Sequence, residues 1–169
     1  EGLGVTVSYA DPSSLGADRL AHLLYCAHVH RGSNTAVVSA GTAITVDYLA
    51  GGSTFLGGAI LPGVDLQLSS LHSGTAALPR VSPSGGEVRV PGTSTEECMR
   101  GGVLFGAAGA IERILEEYRR IEGGPRVVVA TGGAWPLIEP YMTTPCEHVP
   151  DATLIGAALF ALPARAGRT

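Results

Sequence analysis

A carboxylate and a guanidinium stand side by side in Gly16-Ala17-Asp18-Arg19, at the first turn of a predicted helix. A carboxylate in that place can accept a proton from a substrate hydroxyl, and the neighbouring arginine can pair bidentately with a substrate carboxylate. The alternative is a surface aspartate near a helix N-terminus beside a solvated arginine. By themselves the four residues favour that alternative, so the segment is a candidate site that needs support from elsewhere in the chain.

Three small-residue loops each follow a strand-like segment: Ala40-Gly41-Thr42-Ala43, Leu56-Gly57-Gly58-Ala59 and Ala130-Thr131-Gly132-Gly133. A strand that ends in Gly-Thr exposes backbone N–H groups and a hydroxyl, which can hold a phosphate group without a lysine. That matters because all eleven basic residues are arginine, which excludes a lysine-containing phosphate loop and a Schiff-base lysine. Any one loop is better explained as a simple turn, whereas the three together indicate a nucleotide site as strongly as they indicate turns.

His22, Cys26 and His30 recur every four residues and fall on one face of the same predicted helix. Such a set could bind a metal, but no carboxylate completes it and the face adjoins an apolar stripe. We therefore interpret the three residues as structural. The run Cys146-Glu147-His148 carries no stronger indication of a metal site.

The composition describes one globular domain rather than a disordered or fibrous chain. The protein has 169 residues, of which 24 are glycine and 45% are hydrophobic, with a net charge of −4. The mild acidity predicts neither nucleic acid nor an anionic membrane as a partner. Three widely spaced cysteines suit a reducing cytosol, so a cytoplasmic protein is expected. The sequence opens at Glu1 rather than Met, and we expect further chain upstream.

Hydrophobic periodicity predicts an α/β domain that positions these residues. Helices are expected over residues 13–30, capped by Ser13 or Ser14, and over 64–71, from about 95 to 120, 135–138 and 152–162. Strands are expected over 35–38, 44–48, 54–61, 88–90 and 126–130, with Gly51-Gly52 turning the second into the third. Residues 163–169 are expected to form a flexible tail.

Eight short motifs, in their order and spacing, resemble type III pantothenate kinases over nearly the whole chain. They are Tyr9-Ala10-Asp11-Pro12, Gly16-Ala17-Asp18-Arg19, Gly41-Thr42-Ala43-Ile44-Thr45-Val46-Asp47, Gly57-Gly58-Ala59-Ile60-Leu61-Pro62-Gly63, Thr75-Ala76-Ala77-Leu78-Pro79, Gly92-Thr93-Ser94-Thr95, Thr131-Gly132-Gly133 and Ala152-Thr153-Leu154-Ile155-Gly156. The resemblance implies a ribonuclease-H-like fold of the actin and acetate-and-sugar-kinase type. It makes residues 1–162 the C-terminal two-thirds of such a kinase, with the N-terminal half of the ribonuclease-H-like domain missing from this chain.

The implied reaction is transfer of the γ-phosphoryl group of ATP, with Mg²⁺, to pantothenate, the first step toward coenzyme A. By resemblance Asp18 is the general base, and the pantothenate-binding residues are Tyr9, Gly16, Ala17, Arg19 and Thr95. The resemblance also makes Thr95 act across a dimer interface. The ATP-binding residues implied are Gly41, Thr42, Gly132 and Gly133.

Two departures from the family pattern leave a second interpretation open. Ser39 stands where the family has an aspartate that helps to hold K⁺ or NH₄⁺, and a hydroxyl is a weaker cation ligand than a carboxylate. The family's N-terminal phosphate loop does not precede Glu1, so either a longer protein or a partner chain would have to supply it. The alternative to an enzyme is therefore a non-catalytic regulatory or scaffolding subunit of the Baf type.

Overall fold

The computed structural model describes residues 4–121 and 123–161, which form a mixed α/β domain. The strands are β1 (Thr6–Val7), β2 (Thr35–Ala40), β3 (Ala43–Ala50), β4 (Thr54–Pro62), β5 (Val127–Thr131) and β6 (Glu147–His148). The helices are α1 (Ala17–Val29), α2 (Val64–Ser73), α3 (Thr95–Arg119), α4 (Trp135–Ile138) and α5 (Ala152–Ala161). The predicted tail, residues 163–169, lies outside the described residues.

The strands form one six-stranded sheet in the order β1-β4-β3-β2-β5-β6. Strands β2, β3 and β4 are an antiparallel meander, while β5 pairs parallel with β2 and β6 parallel with β5. The tight turn at Gly51-Gly52 has positive φ at both glycines, as the predicted hairpin requires. The carboxyl ends of β2 and β5 therefore meet at one edge of the sheet.

Alternate residues of each central strand face opposite sides of the sheet. On one side, Ala36, Val38 and Ala40 of β2 pack in a large cluster with residues of α2, α3 and α4. On the other side, Val37 packs in a smaller cluster with residues of α1. Fully buried aliphatic side chains such as Leu23 each stabilise the fold by about 1.5–3 kcal/mol. Helices therefore cover both faces of the sheet, and each face presents its own set of side chains.

Most of the long predicted elements are present, and the differences come from local hydrogen bonds. The first helix begins at Ala17 rather than Ser13, because Asp11 accepts hydrogen bonds from Ser13 N and Oγ and caps a short 3₁₀ turn instead. The strand predicted over 88–90 is wrong. The backbone there packs against the start of α3, and Arg89 O lies 2.9 Å from where a Cβ of Gly101 would be. The two-residue strands β1 and β6 were not predicted.

Helix α3 starts at Thr95, as predicted, and its N-terminus is capped from both directions. The Ser94 hydroxyl accepts a hydrogen bond from Glu97 N at 3.2 Å, and Glu97 Oε2 accepts from Thr93 N and Oγ1 at 2.8 Å. Among the helices in the described ranges, none has the length and apolar character needed to cross a membrane.

Candidate active site

The carboxylate of Asp18 lies exposed in the first turn of α1, two residues after Gly16, the glycine that makes room for it. A Cβ at Gly16 would come within 2.7 Å of Asp18 Oδ1. Any side chain at position 16 would therefore push the carboxylate away from its place. The Gly-x-Asp spacing thus has a steric reason, independent of any resemblance.

The next residue, Arg19, points the other way, into the protein, where it forms a buried ion pair with Asp47 of β3. Arg19 NH2 lies 2.5 Å from Asp47 Oδ1, and Arg19 Nε lies 3.1 Å from Oδ2. Asp47 is fully buried and Arg19 is 6% exposed. The hydrogen bonds to Asp47 raise the pKa of Arg19 far above its usual value, despite burial. Burial raises the pKa of the Asp47 carboxyl, and the adjacent guanidinium opposes that rise.

Two aromatic rings flank the guanidinium. Its central carbon lies 5.7 Å from the centre of the Tyr9 ring and 5.5 Å from that of Phe55, and the two rings are 5.6 Å apart. Arg19 NH1 also donates a long hydrogen bond, 3.4 Å, to the Tyr9 hydroxyl. Of the residues that the sequence assigned to one substrate site, the fold thus brings Tyr9 into contact with Arg19, while Gly16 and Asp18 adjoin Arg19 along the chain.

A cleft of about 530 Å³ opens at the edge of the sheet where β2 and β5 end. Gly41 and Thr42 of the β2–β3 turn line one side, and Gly133, which follows β5, lines another. Its lining also includes Asp65, Leu66, Ser69, Arg80, Val81, Ala134 and Leu137. Three of the four residues that the sequence assigned to a nucleotide therefore line one concave surface.

Backbone hydrogen bonds hold the glycine turns around this cleft against one another. Gly63 N donates to Thr42 O at 2.9 Å, and Ala134 N donates to Ala40 O at 3.0 Å. Gly132 has a φ of +96°, in the left-handed region that favours glycine. Gly132 does not itself line the cleft, so it shapes the turn that carries Gly133.

The segment Leu56-Gly57-Gly58-Ala59, also predicted to be a loop, is not a loop and does not line the cleft. Its residues lie within β4, where Gly58 pairs with Asp47 across the sheet. A Cβ at Gly58 would overlap Asp47 Oδ1 and would lie 3.1 Å from Arg19 NH2. The glycine is therefore explained by the buried ion pair rather than by phosphate.

Ser39 lies in a row of three hydroxyl residues on the α1 side of the sheet. It pairs in register with Thr45 of β3 and with Thr131 of β5. The Thr131 hydroxyl donates to Pro150 O at 3.3 Å, and the Thr45 hydroxyl is buried. Position 39, which the sequence assigned to a cation ligand, thus contributes one hydroxyl oxygen and no carboxylate.

Thr95 is separated from the Asp18 cluster. It is exposed at the start of α3, whose core residues pack on the face of the sheet opposite α1. Within residues 4–121 and 123–161, no side-chain hydrogen bond joins Thr95 to that cluster. Within one chain, the structure therefore does not bring Thr95 to the other predicted substrate residues.

The three residues spaced along α1 do not share a site. His22 Nε2 lies 2.7 Å from Thr153 Oγ1 of α5, while His30 Nε2 lies 3.5 Å from Glu147 Oε2 at the far end of the helix. Cys26 is buried, which raises the pKa of its thiol to about 12. In the part of the chain that the structure describes, no group of three or more His, Cys, Asp or Glu residues is arranged to hold a metal ion.

Sequence reasoning did not assign roles to Asp47, Asp65 or Arg80. The signal for Asp47 was available, because it is the single charged residue in the otherwise uncharged strand Ala43–Ala50, and a buried charge must be paired. Asp65 and Arg80 carried no such signal. Asp65 lies in the first turn of α2 and Arg80 in an irregular segment, and only the fold places both at the cleft.

Comparison of the sequence with known proteins gives a consistent family. The profile of the family described as type III pantothenate kinase matches residues 1–117. A type III pantothenate kinase from Saccharopolyspora erythraea is 38% identical over 163 residues, covering 92% of this chain and 60% of the relative. One from Chlorobium luteolum is 42% identical over 156 residues, covering 89% and 57%. The chain therefore spans about three-fifths of the length of these relatives.

Two solved structures share the fold at low sequence identity. A protein described as a Baf family transcriptional activator from Campylobacter jejuni superposes with a TM-score of 0.62 at 22% identity, covering 92% of this chain and 67% of the other. An activator of 2-hydroxyisocaproyl-CoA dehydratase from Clostridium difficile, with bound ADPNP, gives 0.52 at 14% identity, covering 85% and 65%. The likeness confirms the predicted actin and acetate-and-sugar-kinase type of fold.

Proposed function

Because the chain belongs to the type III pantothenate kinase family, we propose that the protein transfers the γ-phosphoryl group of ATP to the primary hydroxyl of pantothenate. The observation that carries the proposal is the arrangement at the start of α1. An exposed carboxylate, Asp18, adjoins an arginine that is fixed beneath two aromatic rings. That arrangement suits a small substrate with a hydroxyl at one end and a carboxylate at the other.

Each group at the start of α1 has a distinct part in the reaction. Asp18 orients the substrate hydroxyl and takes its proton as the new O–P bond forms and the bond between the γ-phosphorus and the β-phosphate oxygen breaks. Gly16 and Ala17 bring the backbone close to the substrate. Arg19 binds the substrate carboxylate with NH1, since Nε and NH2 already bond Asp47, and Tyr9 packs on the substrate chain.

ATP would occupy the cleft at the carboxyl ends of β2 and β5. The volume of the cleft, about 530 Å³, falls in the range of roughly 300–1,000 Å³ usual for small-molecule sites. The Thr42 hydroxyl and the backbone at Gly41 would contact the phosphates, with the nucleoside end toward Gly132 and Gly133. Arg80 supplies a positive charge at the cleft in a chain without lysine.

The lining of the cleft fits a magnesium ion bound together with phosphates. Mg²⁺ is commonly held by one or two carboxylates plus substrate phosphates, and the cleft offers the carboxylate of Asp65 and the hydroxyl of Ser69. When bound, the ion would neutralise charge on the phosphates. Asp65 and Ser69 would hold it at the side of the cleft formed by α2.

The remaining parts of the site would come from chain beyond the 169 residues or from a second subunit. The relatives are longer than this chain, and Thr95 lies away from Asp18. A homodimer in which Thr95 reaches the partner's substrate, or an assembly with a chain that supplies the N-terminal half, would meet both conditions. We place the reaction in the cytoplasm, where the three free cysteines would stay reduced.

The direct test uses the full protein encoded by the gene, incubated with ATP, Mg²⁺ and pantothenate. We expect 4′-phosphopantothenate and ADP in equal amounts, measured by mass spectrometry, and no ADP when pantothenate is omitted. A folded protein that forms neither product would reject the kinase and support the non-catalytic alternative.

A second test concerns Ser39 as the position of the monovalent cation. We expect Ser39→Asp to increase the stimulation of kinase activity by K⁺ or NH₄⁺ over Na⁺, because a carboxylate binds a cation more strongly than a hydroxyl. The measurement is initial rate against salt concentration at constant ionic strength. Ser39→Asn, of matched size and without charge, is the control. A cation response equal to that of the wild type would show that position 39 is not the cation position.

A further inference from the structure

We propose that Asp47 is a positioning residue for substrate binding, which fixes the guanidinium of Arg19 so that NH1 faces the substrate carboxylate. The inference rests on the proposed function and extends it to a residue of β3 that contacts no solvent. Its basis is the geometry of the pair and the space around it.

The pair uses one side of the guanidinium, and NH1 on the other side has no carboxylate partner among the described residues. Nε and NH2 of Arg19 bond the two oxygens of Asp47, at 3.1–3.2 Å from Nε and 2.5 Å from NH2. NH1 makes only the 3.4 Å hydrogen bond to the Tyr9 hydroxyl. A planar guanidinium bonded along one side presents its remaining N–H groups in a fixed direction, which favours a second carboxylate.

The surroundings prevent Arg19 from taking another orientation. The rings of Tyr9 and Phe55 lie within 6 Å of its central carbon. Asp47 Oδ1 occupies the space that a Cβ of Gly58 would fill, so the carboxylate lies close against the backbone of β4. Separating the two buried charges would leave each without its partner, which is strongly unfavourable, so the pair stays formed. Arg19 is therefore oriented before substrate arrives.

A purely structural ion pair would stabilise the fold but would not affect recognition of a carboxylate. The two roles predict different changes in KM for pantothenate and for its alcohol analogue, in which CH₂OH replaces the carboxylate. A positioning role predicts a loss for pantothenate alone. A structural role predicts the same small change, or none, for both.

The experiment compares Asp47→Asn with the wild type in the full protein encoded by the gene. We expect KM for pantothenate to rise about 10- to 100-fold, the size of one misaligned charge-assisted hydrogen bond, with kcat changed by less than about threefold. KM for the alcohol analogue should stay within about twofold. Adding Asp47→Asn to Arg19→Lys should raise KM no further, because Asp47 acts through Arg19.

Glu112→Gln is the matched control for lost stability. Glu112 lies on α3, and its carboxylate accepts hydrogen bonds from Thr143 and Thr144, remote from Arg19. We expect it to lower the melting temperature without changing the ratio of the two KM values. An Asp47→Asn variant that behaves in the same way, or that loses both substrates equally, would overturn the proposal.

Two further measurements keep the proposal testable if turnover or folding fails. Calorimetry of pantothenate binding separates failure of the kinase from failure of the Asp47 proposal. If the wild type binds pantothenate without turnover, the kinase is rejected, and Kd for pantothenate relative to Kd for the alcohol analogue still tests Asp47. If the wild type does not bind pantothenate, both proposals are rejected. If Asp47→Asn does not fold, nitrogen NMR of the wild type replaces it. Separate NH1 and NH2 signals for Arg19 are expected without substrate, and averaged signals would contradict a fixed guanidinium.

Discussion

The Asp18→Asn variant is expected to lower kcat for pantothenate phosphorylation by about 10²–10⁴-fold, the usual size of a general-base contribution. Asparagine keeps the shape of the side chain and cannot accept the proton of the substrate hydroxyl. Because Asp18 is exposed and its side chain makes no hydrogen bond among the described residues, the variant should fold with unchanged stability. The measurement is the steady-state rate at saturating ATP and pantothenate.

The control for this variant is Asp151→Asn, which removes an exposed carboxylate just before α5. It should retain the wild-type kcat. If Asp18→Asn were as active as the wild type, Asp18 would not be the base, and another residue would have to orient the hydroxyl. A loss of activity in both variants would point to a change in overall charge rather than to a specific role.

Mixing inactive variants tests whether Thr95 acts on the partner's substrate. If sites are shared between subunits, a mixture of Asp18→Asn with Thr95→Ala should recover part of the activity, since every hybrid dimer contains one site with both native residues. Neither variant alone should do so. A mixture that stays inactive after subunit exchange has been verified by native mass spectrometry would place Thr95 outside the site.

Local patterns were enough to predict the elements around the site, because the residues that define them are close in sequence. The Gly51-Gly52 turn and the apolar stretches on either side predicted β3 and β4, and the acidic first turn of α3 predicted its start at Thr95. The strands β1 and β6 were missed since each has only two residues and depends on a distant partner strand. Such pairing leaves no periodic signal in a single sequence.

The site itself was only half predictable for a related reason. The adjacent residues Asp18 and Arg19 stand out in sequence. The partner of Arg19, however, is Asp47, which lies 28 positions away on the second strand of the β2–β3 hairpin. Gly57-Gly58 was misread as a loop because a glycine required by a neighbouring carboxylate looks the same in sequence as a glycine required by a turn. Only the register of β3 against β4 separates the two explanations.

The proposed sites for the two substrates lie on different parts of the sheet. The cleft lies beyond the carboxyl ends of β2 and β5, while Asp18 and Arg19 approach from the α1 face. On that same face, Ser39, Thr45 and Thr131 are in register on three neighbouring strands. Asp47 lies on the same face, so these hydroxyls and its carboxylate make the α1 side of the sheet partly polar.

Substitution of the two adjacent glycines after β5 is expected to give very different losses of stability, because the fold requires Gly132 and does not require Gly133. We expect Gly132→Ala to lower the free energy of unfolding by about 3 kcal/mol, combining a residue forced to φ +96° with an overpacked site. A Cβ there would overlap Ala40 O and lie 2.7 and 2.8 Å from the carbonyl carbon and nitrogen of the same residue. These are backbone atoms of a central strand, which cannot move aside. Calorimetry should show a melting temperature lower by about 6–12 °C.

Gly133→Ala is the matched control, because a Cβ at Gly133 would meet nothing within 4 Å and its φ is not positive. It should leave the melting temperature within about 2 °C of the wild type. Since Gly133 lines the cleft, the same variant should weaken ATP binding, and a bulkier Gly133→Leu should weaken it more. Equal melting temperatures for Gly132→Ala and the wild type would mean that the turn after β5 is not tied to Ala40. In that case Gly132 would be a glycine for the nucleotide rather than for the fold.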